Sequence, residues 1–215
     1  EVGRVLRLAK VAVDDGGSFE DGIRLAVQAV LISPHFLFRW ELDGAPENPK
    51  AIRSLNEYEL ASRFSFFLWS SMPDDRLLEL AGKAQLRKNL KQEISRMLSD
   101  VKAGALVGNF AGQWLQLRNL DVYQPDKKLF PMFTPELREA MRRETEQLFS
   151  HIALENRSVL EILSADYSFL NERLADFYGI SGVKGNSFRR VSLRGIPRGG
   201  ILTHASVLTI TSDPN

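Results

Sequence analysis

The hydrophobic positions along the chain recur mainly with a helical period. Apolar residues lie three and four apart in successive segments, a spacing that places them on one face of an α-helix. The clearest run, LNEYELASRFSFFLWSSMPDD, covers residues 55–75. Asn56 and Glu59 have the spacing of a capping box, and Pro73 ends the run. The pattern predicts a helix over residues 56–70 that is apolar around most of its circumference and is buried by neighbours on several sides.

A second helical segment is predicted over residues 101–117. Gly104, Gly108 and Gly112 lie on the side opposite its apolar stripe. Each interior glycine costs about 1 kcal/mol of helix propensity relative to alanine, so three on one ridge predict the close approach of another helix backbone. A membrane-dimer motif is the rival interpretation, and the polar neighbours disfavour it. The stripe consists of Ala103, Leu106, Val107, Phe110, Trp114 and Leu117.

Helix-start and helix-stop signals mark the remaining helices. Thr134-Pro135-Glu136 opens a helix predicted to run to residue 155, and Asn171 caps one that Gly179 ends. Strand patterns are weaker and fall in the last third of the chain, at residues 165–171, 188–193 and 207–210. The predicted fold class is mainly α: an irregular multi-helix bundle around a buried central helix, with a small irregular or β-containing C-terminal segment. Shorter helical patterns cover residues 2–13, 18–32, 76–82 and 88–99.

Residues 41–54 contain two prolines and a glycine and are predicted to form a loop.

Composition and charge narrow the function classes. The chain has 215 residues, 44% apolar and 26% charged, as in ordinary globular domains. The net charge of +1 gives no general attraction to nucleic acid or to a membrane surface, so neither is an expected partner. No segment is long and apolar enough to predict a membrane span. Because cysteine is absent, disulfides, thiolate zinc sites, iron–sulfur clusters and covalent haem attachment are excluded within this segment, and no cofactor is expected in it.

The helix over residues 134–155 carries the main candidate chemistry. Glu144, His151 and Glu155 project within about 40° of one another beside its apolar stripe. A histidine and a carboxylate four residues apart can share a metal ion, or the carboxylate can orient the imidazole for proton transfer. As an enzyme hypothesis, Glu144 and His151 act with Asp166 or Glu172 as catalytic residues. A solvated face and a structural hydrogen-bond network are the alternative interpretations.

Other conspicuous residues are better explained by structure than by chemistry. His204 lies in RGGILTHAS, whose backbone amides could hold an anion, but the stretch lacks the phosphate-loop pattern, so a turn is predicted. The aromatic residues Trp69, Phe110 and Trp114 lie at core spacing, which favours packing over a sugar or cofactor platform. There is no G-x-S-x-G, H-E-x-x-H or dinucleotide-binding glycine motif.

Several long motifs together resemble a known group of domains. They are LNEYELASRFSFFLWSSMPDDRLLELA, NFAGQWLQLRNL, FTPELREAMRRETEQLF, SVLEILSADYSFLNERLADFYGI and RGGILTHASVLTITSDPN. In this order they resemble consecutive domains of unknown function in large exported proteins that are abundant in planctomycetes, many of which also carry a cytochrome-c-type domain. AVQAVLISPHFLFRWE is similar to the end of the domain that precedes them. The resemblance therefore implies three segments: residues 1–45 are the end of a preceding helical module, residues 46–180 are the central helical domain, and residues 181–215 are the start of a following module that packs on the same core.

The resemblance implies an exported, periplasmic or cell-surface multidomain protein with haem c in a separate domain. Neighbouring domains of the same polypeptide are then the expected partners, while a small-molecule or polysaccharide ligand is left open. No catalytic residue carries over from the resemblance. The function predicted for this segment is a non-catalytic helical scaffold or docking module. The alternative is an enzyme, an oxidoreductase or hydrolase acting on an extracellular polymer through a Glu/His/Asp cluster.

Overall fold

The structure, a computed structural model, describes residues 2–39, 41, 47–48 and 50–212. The chain divides into two compact units, Glu1–Ser62 and Arg63–Asn215. Helices dominate both units, and the sheet in the described part has two antiparallel strands. The predicted mainly α class, with a small β-containing C-terminal segment, is therefore confirmed. Much of the predicted 41–54 loop and the last three residues lie outside the described residues.

The first unit begins with two packed helices. They are α1 (Val2–Asp14) and α2 (Phe19–Leu31), followed by the single turn α3 (Pro34–Leu37). Ser18 and Asp21 form the reciprocal capping box at the start of α2, with side-chain to backbone distances of 3.2 and 3.0 Å. A Cβ added at Gly22 would lie 2.8 Å from the carbonyl oxygen of Ala9. The two helices therefore pack as closely as they do because residue 22 has no side chain.

The predicted central helix is α4 (Glu57–Trp69). Its capping box is confirmed, since Asn56 Oδ1 accepts from the Glu59 amide at 2.8 Å and Glu59 accepts from the Asn56 amide at 2.8 Å. Its buried face is formed by Leu60, Ala61, Ser65, Leu68 and Trp69. Tyr58 and Phe67 are 56% and 55% exposed, so the helix is buried along one face and not around its whole circumference.

Trp69 ties α4 to the helices that follow. These are α5 (Asp75–Gly82) and α6 (Leu90–Leu98). The indole nitrogen of Trp69 donates to the carbonyl of Met97 at 2.9 Å. Beside it, the buried carboxylate of Glu93 accepts from Arg76 and from Arg96, each at 2.7 Å. Burial opposes ionisation, but these two guanidinium groups lower the pKa of Glu93 below its usual value, so the carboxylate is charged and links the two helices.

The segment predicted as one helix over residues 101–117 is broken into shorter pieces. Val101–Ala103 is a 3₁₀ turn, Leu106–Ala111 a π-helix and Gly112–Trp114 the short helix α7. The prediction that its three glycines allow another helix to approach is wrong. Apart from the helix's own backbone, no heavy atom of the described residues lies within 4 Å of a Cβ added at Gly104, Gly108 or Gly112.

The rest of the second unit is arranged along its longest helix, α8 (Pro135–Leu154), which Thr134 caps as predicted. The predicted core stripe of α8 is confirmed, with Leu137, Met141, Leu148 and Ile152 each at most 5% exposed. The elements that follow α8 are α9 (Glu161–Ser164), β1 (Tyr167–Leu170), α10 (Glu172–Tyr178), β2 (Arg189–Ser192) and α11 (Ala205–Thr211).

Elements that follow α8 in the chain pack against it. Strands β1 and β2 lie within two of the predicted strand patterns, and they pair antiparallel with Tyr167 opposite Ser192. The strand pattern at residues 207–210 is misleading, because these residues belong to α11. Side chains of α8, β1 and α10 form a common apolar core that includes Met141, Leu170 and Leu174. The remaining regular turns, all 3₁₀, are Arg87–Asn89, Leu117–Asp121 and Ile201–Thr203.

Candidate functional site

A group of polar side chains is enclosed within this apolar core. All except Tyr178 are at most 1% exposed. Buried polar groups lower the free energy of unfolding unless they find hydrogen-bond partners, so such a concentration requires a complete set of contacts. We call this group the polar cluster. It consists of Glu144, Thr145, Ser168, Tyr178, His204 and Ser206.

Four separate elements contribute the polar cluster. Glu144 and Thr145 lie side by side on α8, and Ser168 lies on β1. Tyr178 is the last residue of α10, where Gly179 ends the helix in the left-handed conformation with φ +71°. His204 and Ser206 lie at the start of α11. The cluster therefore forms only when the elements that follow α8 have packed against it.

Glu144 is the centre of the first half of the cluster. Its carboxyl oxygens accept from the Ser168 hydroxyl at 2.6 Å and from the Tyr178 hydroxyl at 2.5 Å. The Tyr178 oxygen in turn accepts from the backbone amide of Ala205 at 2.8 Å. The imidazole Nε2 of His204 lies 3.8 Å from Glu144 Oε1. Both carboxyl oxygens thus have a partner without any contact to bulk water.

His204 is the centre of the second half. Its Nδ1 lies 2.9 Å from the Thr145 hydroxyl, which lies 2.6 Å from the Ser206 hydroxyl. Its Nε2 lies 3.5 Å from Ser168 Oγ. When Ser206 donates to Thr145 and Thr145 donates to Nδ1, the ring proton is on Nε2 and faces Ser168. With that assignment, one hydrogen-bonded chain connects Ser206 to Glu144.

Burial favours the uncharged forms of Glu144 and His204. It raises the pKa of the Glu144 carboxyl to about 7, although Ser168 and Tyr178 donate to the carboxylate and oppose the shift. Burial also lowers the pKa of the His204 imidazole to about 3, and the nearby Arg198 guanidinium contributes in the same direction. Near neutral pH the cluster therefore holds a neutral imidazole and a carboxyl group close to its titration midpoint.

Arg198 is the cation nearest to this cluster in the contacts described. Its guanidinium carbon lies 3.7 Å from the centre of the Tyr178 ring, and its Nη1 donates to the carbonyl of Thr203 at 2.5 Å. A guanidinium on an aromatic face is a favourable cation–π contact. Arg198 thereby fixes the ring whose hydroxyl bonds Glu144, from a position outside the polar cluster.

The structure places His151 away from the polar cluster. Its Nδ1 pairs with Glu155 at 2.9 Å, one turn further along α8. The ring packs edge-on against Tyr167 and Phe169, with centroid distances of 5.5 and 5.3 Å. Its Nε2 is buried without a hydrogen-bond partner among the described residues. His151 thus lies in an aromatic environment that Glu144 does not share.

Asp166 and Glu172 each have a different partner near the surface. Asp166 pairs with Arg194 at 2.6 Å, beside the end of the two-stranded sheet. Glu172, the first residue of α10, pairs with Lys184 at 2.8 Å and accepts from the amide of Gly185 at 2.7 Å. In the described part of the chain, no hydrogen bond or ion pair joins any two of the four predicted catalytic residues.

Sequence reasoning identified Glu144 and missed the other five members of the cluster, including the buried His204. The prediction of a turn at RGGILTHAS is correct for the residues before it, because a 3₁₀ turn covers Ile201–Thr203. The pattern could not show that this turn places the His204 imidazole next to Thr145, which lies 59 residues earlier in the chain. The only local signal is the polar spacing of His204 and Ser206 within an otherwise apolar run.

Within the ranges that the structure describes, no group of three or more His, Cys, Asp or Glu side chains is arranged to hold a metal ion. No helix in those ranges is long and apolar enough to cross a bilayer. The polar cluster can hold and relay a proton internally through its hydroxyl groups. Neither of the two described pockets is lined by Glu144 or His204.

Comparisons with known proteins place this site within a family. Residues 55–180 match the model of PSD4, a protein of unknown function (DUF1592), and residues 1–41 match that of PSD5, also a protein of unknown function (DUF1595). No curated protein and no solved structure matches the chain. The PSD4 match covers more than half of the chain, including Glu144, Ser168 and Tyr178. The chain therefore belongs to the PSD4 family, whose function is unknown.

Proposed function

We propose that this chain is a non-catalytic helical scaffold or docking module. The observation that supports this function is the closure of the polar cluster. Glu144 and His204 are each 1% exposed, and the hydroxyl groups around them are already used by one another. A catalytic acid or base must come within hydrogen-bond reach of its substrate, directly or through one water molecule. Because the cluster is enclosed, its groups do not come within that reach of a substrate, and their role is to stabilise the fold.

The polar cluster has a structural task that suits a scaffold. It joins α8, β1, α10 and the start of α11 through directional bonds, whereas the apolar contacts around it are not directional. Buried polar networks of this kind can select one packing arrangement over competing ones. In our proposal the cluster fixes the arrangement in which the C-terminal elements pack on α8. The module then presents a fixed surface to neighbouring domains.

We extend the proposal to the setting of the module. The resemblance of its long motifs to domains of exported, haem-associated proteins supports placing it in an exported multidomain protein with haem c in another domain. In that protein, neighbouring domains of the same polypeptide are its partners. Haem staining and cellular fractionation of the native host protein test this setting directly, and a haem-free cytoplasmic protein would contradict it.

Carbodiimide labelling of carboxyl groups tests the closure on which the non-catalytic proposal rests. We expect Glu144 to stay unmodified in the folded 215-residue chain and to react once the chain is unfolded. Glu155 on the same helix is the internal control, because its side chain is 59% exposed and should react in the folded state. Peptide mass spectrometry measures both sites. Labelling of Glu144 in the native protein at a rate close to that of Glu155 would contradict the proposal.

One observation favours the enzyme alternative. The raised pKa of Glu144, to about 7, is the value expected of a general acid or base that works near neutral pH. In that alternative the acid–base group is Glu144, with His151, Asp166 or Glu172 recruited by a rearrangement that opens the cluster. Turnover of ester, glycoside or redox substrates that Glu144→Gln abolishes without unfolding the chain would favour the enzyme over the scaffold.

A further inference from the structure

An apolar pocket of about 480 Å³ lies between α8, α10, α11 and the connection that precedes α8. This volume is within the range of small-molecule sites in proteins, roughly 300–1,000 Å³. Its wall is rich in aromatic and flexible apolar side chains, which adapt to apolar ligands. They include Tyr123, Phe130, Met132, Phe133, Met141 and Phe177.

Several side chains of the pocket wall remain exposed to water. Phe130, Met132 and Leu208 are 54%, 61% and 45% exposed. Covering such surface lowers the free energy by about 25 cal/mol per Å² of apolar area. The connection that carries the first two is held to α8, because Arg138 donates to the carbonyls of Asp121 and Tyr123 at 3.3 and 3.1 Å. One side of the pocket is thus anchored before any ligand arrives.

Arg198 is the one charged residue among the described residues that line this pocket. Within the described residues, no carboxylate lies within ion-pair distance of it. Its one hydrogen bond to those residues goes to the carbonyl of Thr203, and its flat face lies on Tyr178. A guanidinium group has five N–H donors in a fixed plane, which suits two-point binding of a carboxylate. Donors therefore remain at the edge of an apolar pocket.

We propose that this pocket binds an aliphatic carboxylate of fatty-acid type, with the tail among the aromatic side chains and the carboxylate on Arg198. The charge of Arg198 selects an anion, and the apolar wall selects a molecule whose remaining part is hydrocarbon. A carboxylate next to a partly buried guanidinium forms stronger hydrogen bonds than a neutral hydroxyl does. The pocket borders the polar cluster through Arg198, which lies on the Tyr178 ring, but its occupancy does not require Glu144 to be catalytic.

Titration calorimetry of the 215-residue chain with decanoate and with decanol tests the site, since the two probes share the same tail. We expect saturable binding of decanoate and binding of decanol that is about 10- to 100-fold weaker, the range for a charged hydrogen bond. Arg198→Gln should reduce the affinity for decanoate to that for decanol. Equal affinity of the wild-type chain for both probes, or no binding of decanoate, would overturn the proposal.

The matched control is Arg190→Gln. Arg190 also stacks on a tyrosine, at 3.9 Å from the centre of the Tyr167 ring, but does not line the pocket. This variant should bind decanoate as tightly as the wild type does. A second variant, Leu208→Trp, fills the pocket and leaves Arg198 in place, so it should lose decanoate binding. If circular dichroism shows that Arg198→Gln is unfolded, decanoate binding by Leu208→Trp tests the site in its place. Unchanged binding by Leu208→Trp would place the carboxylate elsewhere and reject the site.

Discussion

Glu144→Ala is expected to lower the free energy of unfolding by about 3–5 kcal/mol, a loss typical of breaking a buried polar network. The substitution leaves the hydroxyls of Ser168 and Tyr178 without their acceptor inside the core and removes most of a buried side chain. Each buried donor that loses its partner costs about 1–3 kcal/mol. Denaturant unfolding of the two proteins at the same pH measures the difference.

Glu139→Ala is the matched control for this loss. Glu139 lies on the same helix, and its half-exposed carboxylate pairs with Arg142 and Arg143. Ion pairs at such exposure contribute under about 1 kcal/mol, so this variant should stay close to the wild type. If Glu144→Ala were as mild as Glu139→Ala, the hydrogen bonds of the cluster would have no structural role, and the scaffold proposal would lose its physical basis.

Gly200→Ala is expected to destabilise the chain by about 4 kcal/mol, from backbone strain and overpacking together. Gly200 has φ +57° and ψ 179°, a combination that is essentially confined to glycine. A Cβ added there would also lie 2.3 Å from the carbonyl oxygen of Leu163. The 3₁₀ turn that follows it leads directly to His204, so the substitution should displace the imidazole as well. Unfolding by denaturant and the chemical shifts of His204 report the two effects.

The variant Gly195→Ala separates the effect of backbone strain from that of overpacking. Gly195 has φ +80°, but a Cβ there meets open space among the described residues. Its alanine variant carries the left-handed strain alone, about 1 kcal/mol. Equal losses for the two variants would show that the close contact of Gly200 with Leu163 does not constrain the fold.

The parts of the fold that the sequence predicted are those determined within a few residues. Ser18, Asn56, Thr134 and Asn171 each accept a bond from an amide three residues on, and all four helix starts are where the pattern put them. The stripe of α8 is also a local property, because residues three and four apart share one face of a helix. These signals were sufficient for the fold class and for the position of the longest helices.

Features that depend on packing could not be predicted in this way. The glycines of residues 101–117 have the spacing of a helix contact, but whether another helix packs against them depends on the tertiary fold. No described residue packs against them. Three of the four residues 207–210 are apolar and three are β-branched, but packing places them in α11, which contacts α8. Phe67 has the spacing of a core residue and is more than half exposed.

For the same reason, only one of the six members of the polar cluster, Glu144, was identified from the sequence. Glu144 was identified because a carboxylate beside an apolar stripe is conspicuous on a helix. Its partners Ser168 and Tyr178 lie 24 and 34 residues away, and no period in the sequence connects them to it. His151 lies one turn from Glu155, and this spacing allows the pairing that the structure shows. That pairing is local, however, and gives no information about what surrounds Glu144.

The sign of the pH dependence follows from the environment of Glu144. The pKa of its carboxyl is raised from 4.5 to about 7 in the folded state, so the folded chain binds the proton more tightly than the unfolded chain does. The stability that this provides is fully present below pH 4.5 and is lost as the pH rises through about 7. His204 contributes in the opposite direction. Because its pKa is lowered to about 3, the stability that it provides is lost as the pH falls towards that value. The difference between the wild type and Glu144→Gln isolates the contribution of Glu144.

The carboxyl-carbon NMR titration of Glu144 in the folded 215-residue chain tests most directly whether the cluster is closed to water. Glu144→Gln identifies the signal by its loss. Our account predicts a midpoint near pH 7, because enclosure in the core disfavours the carboxylate. A midpoint near 4.5, the value of a carboxyl group in water, would contradict it.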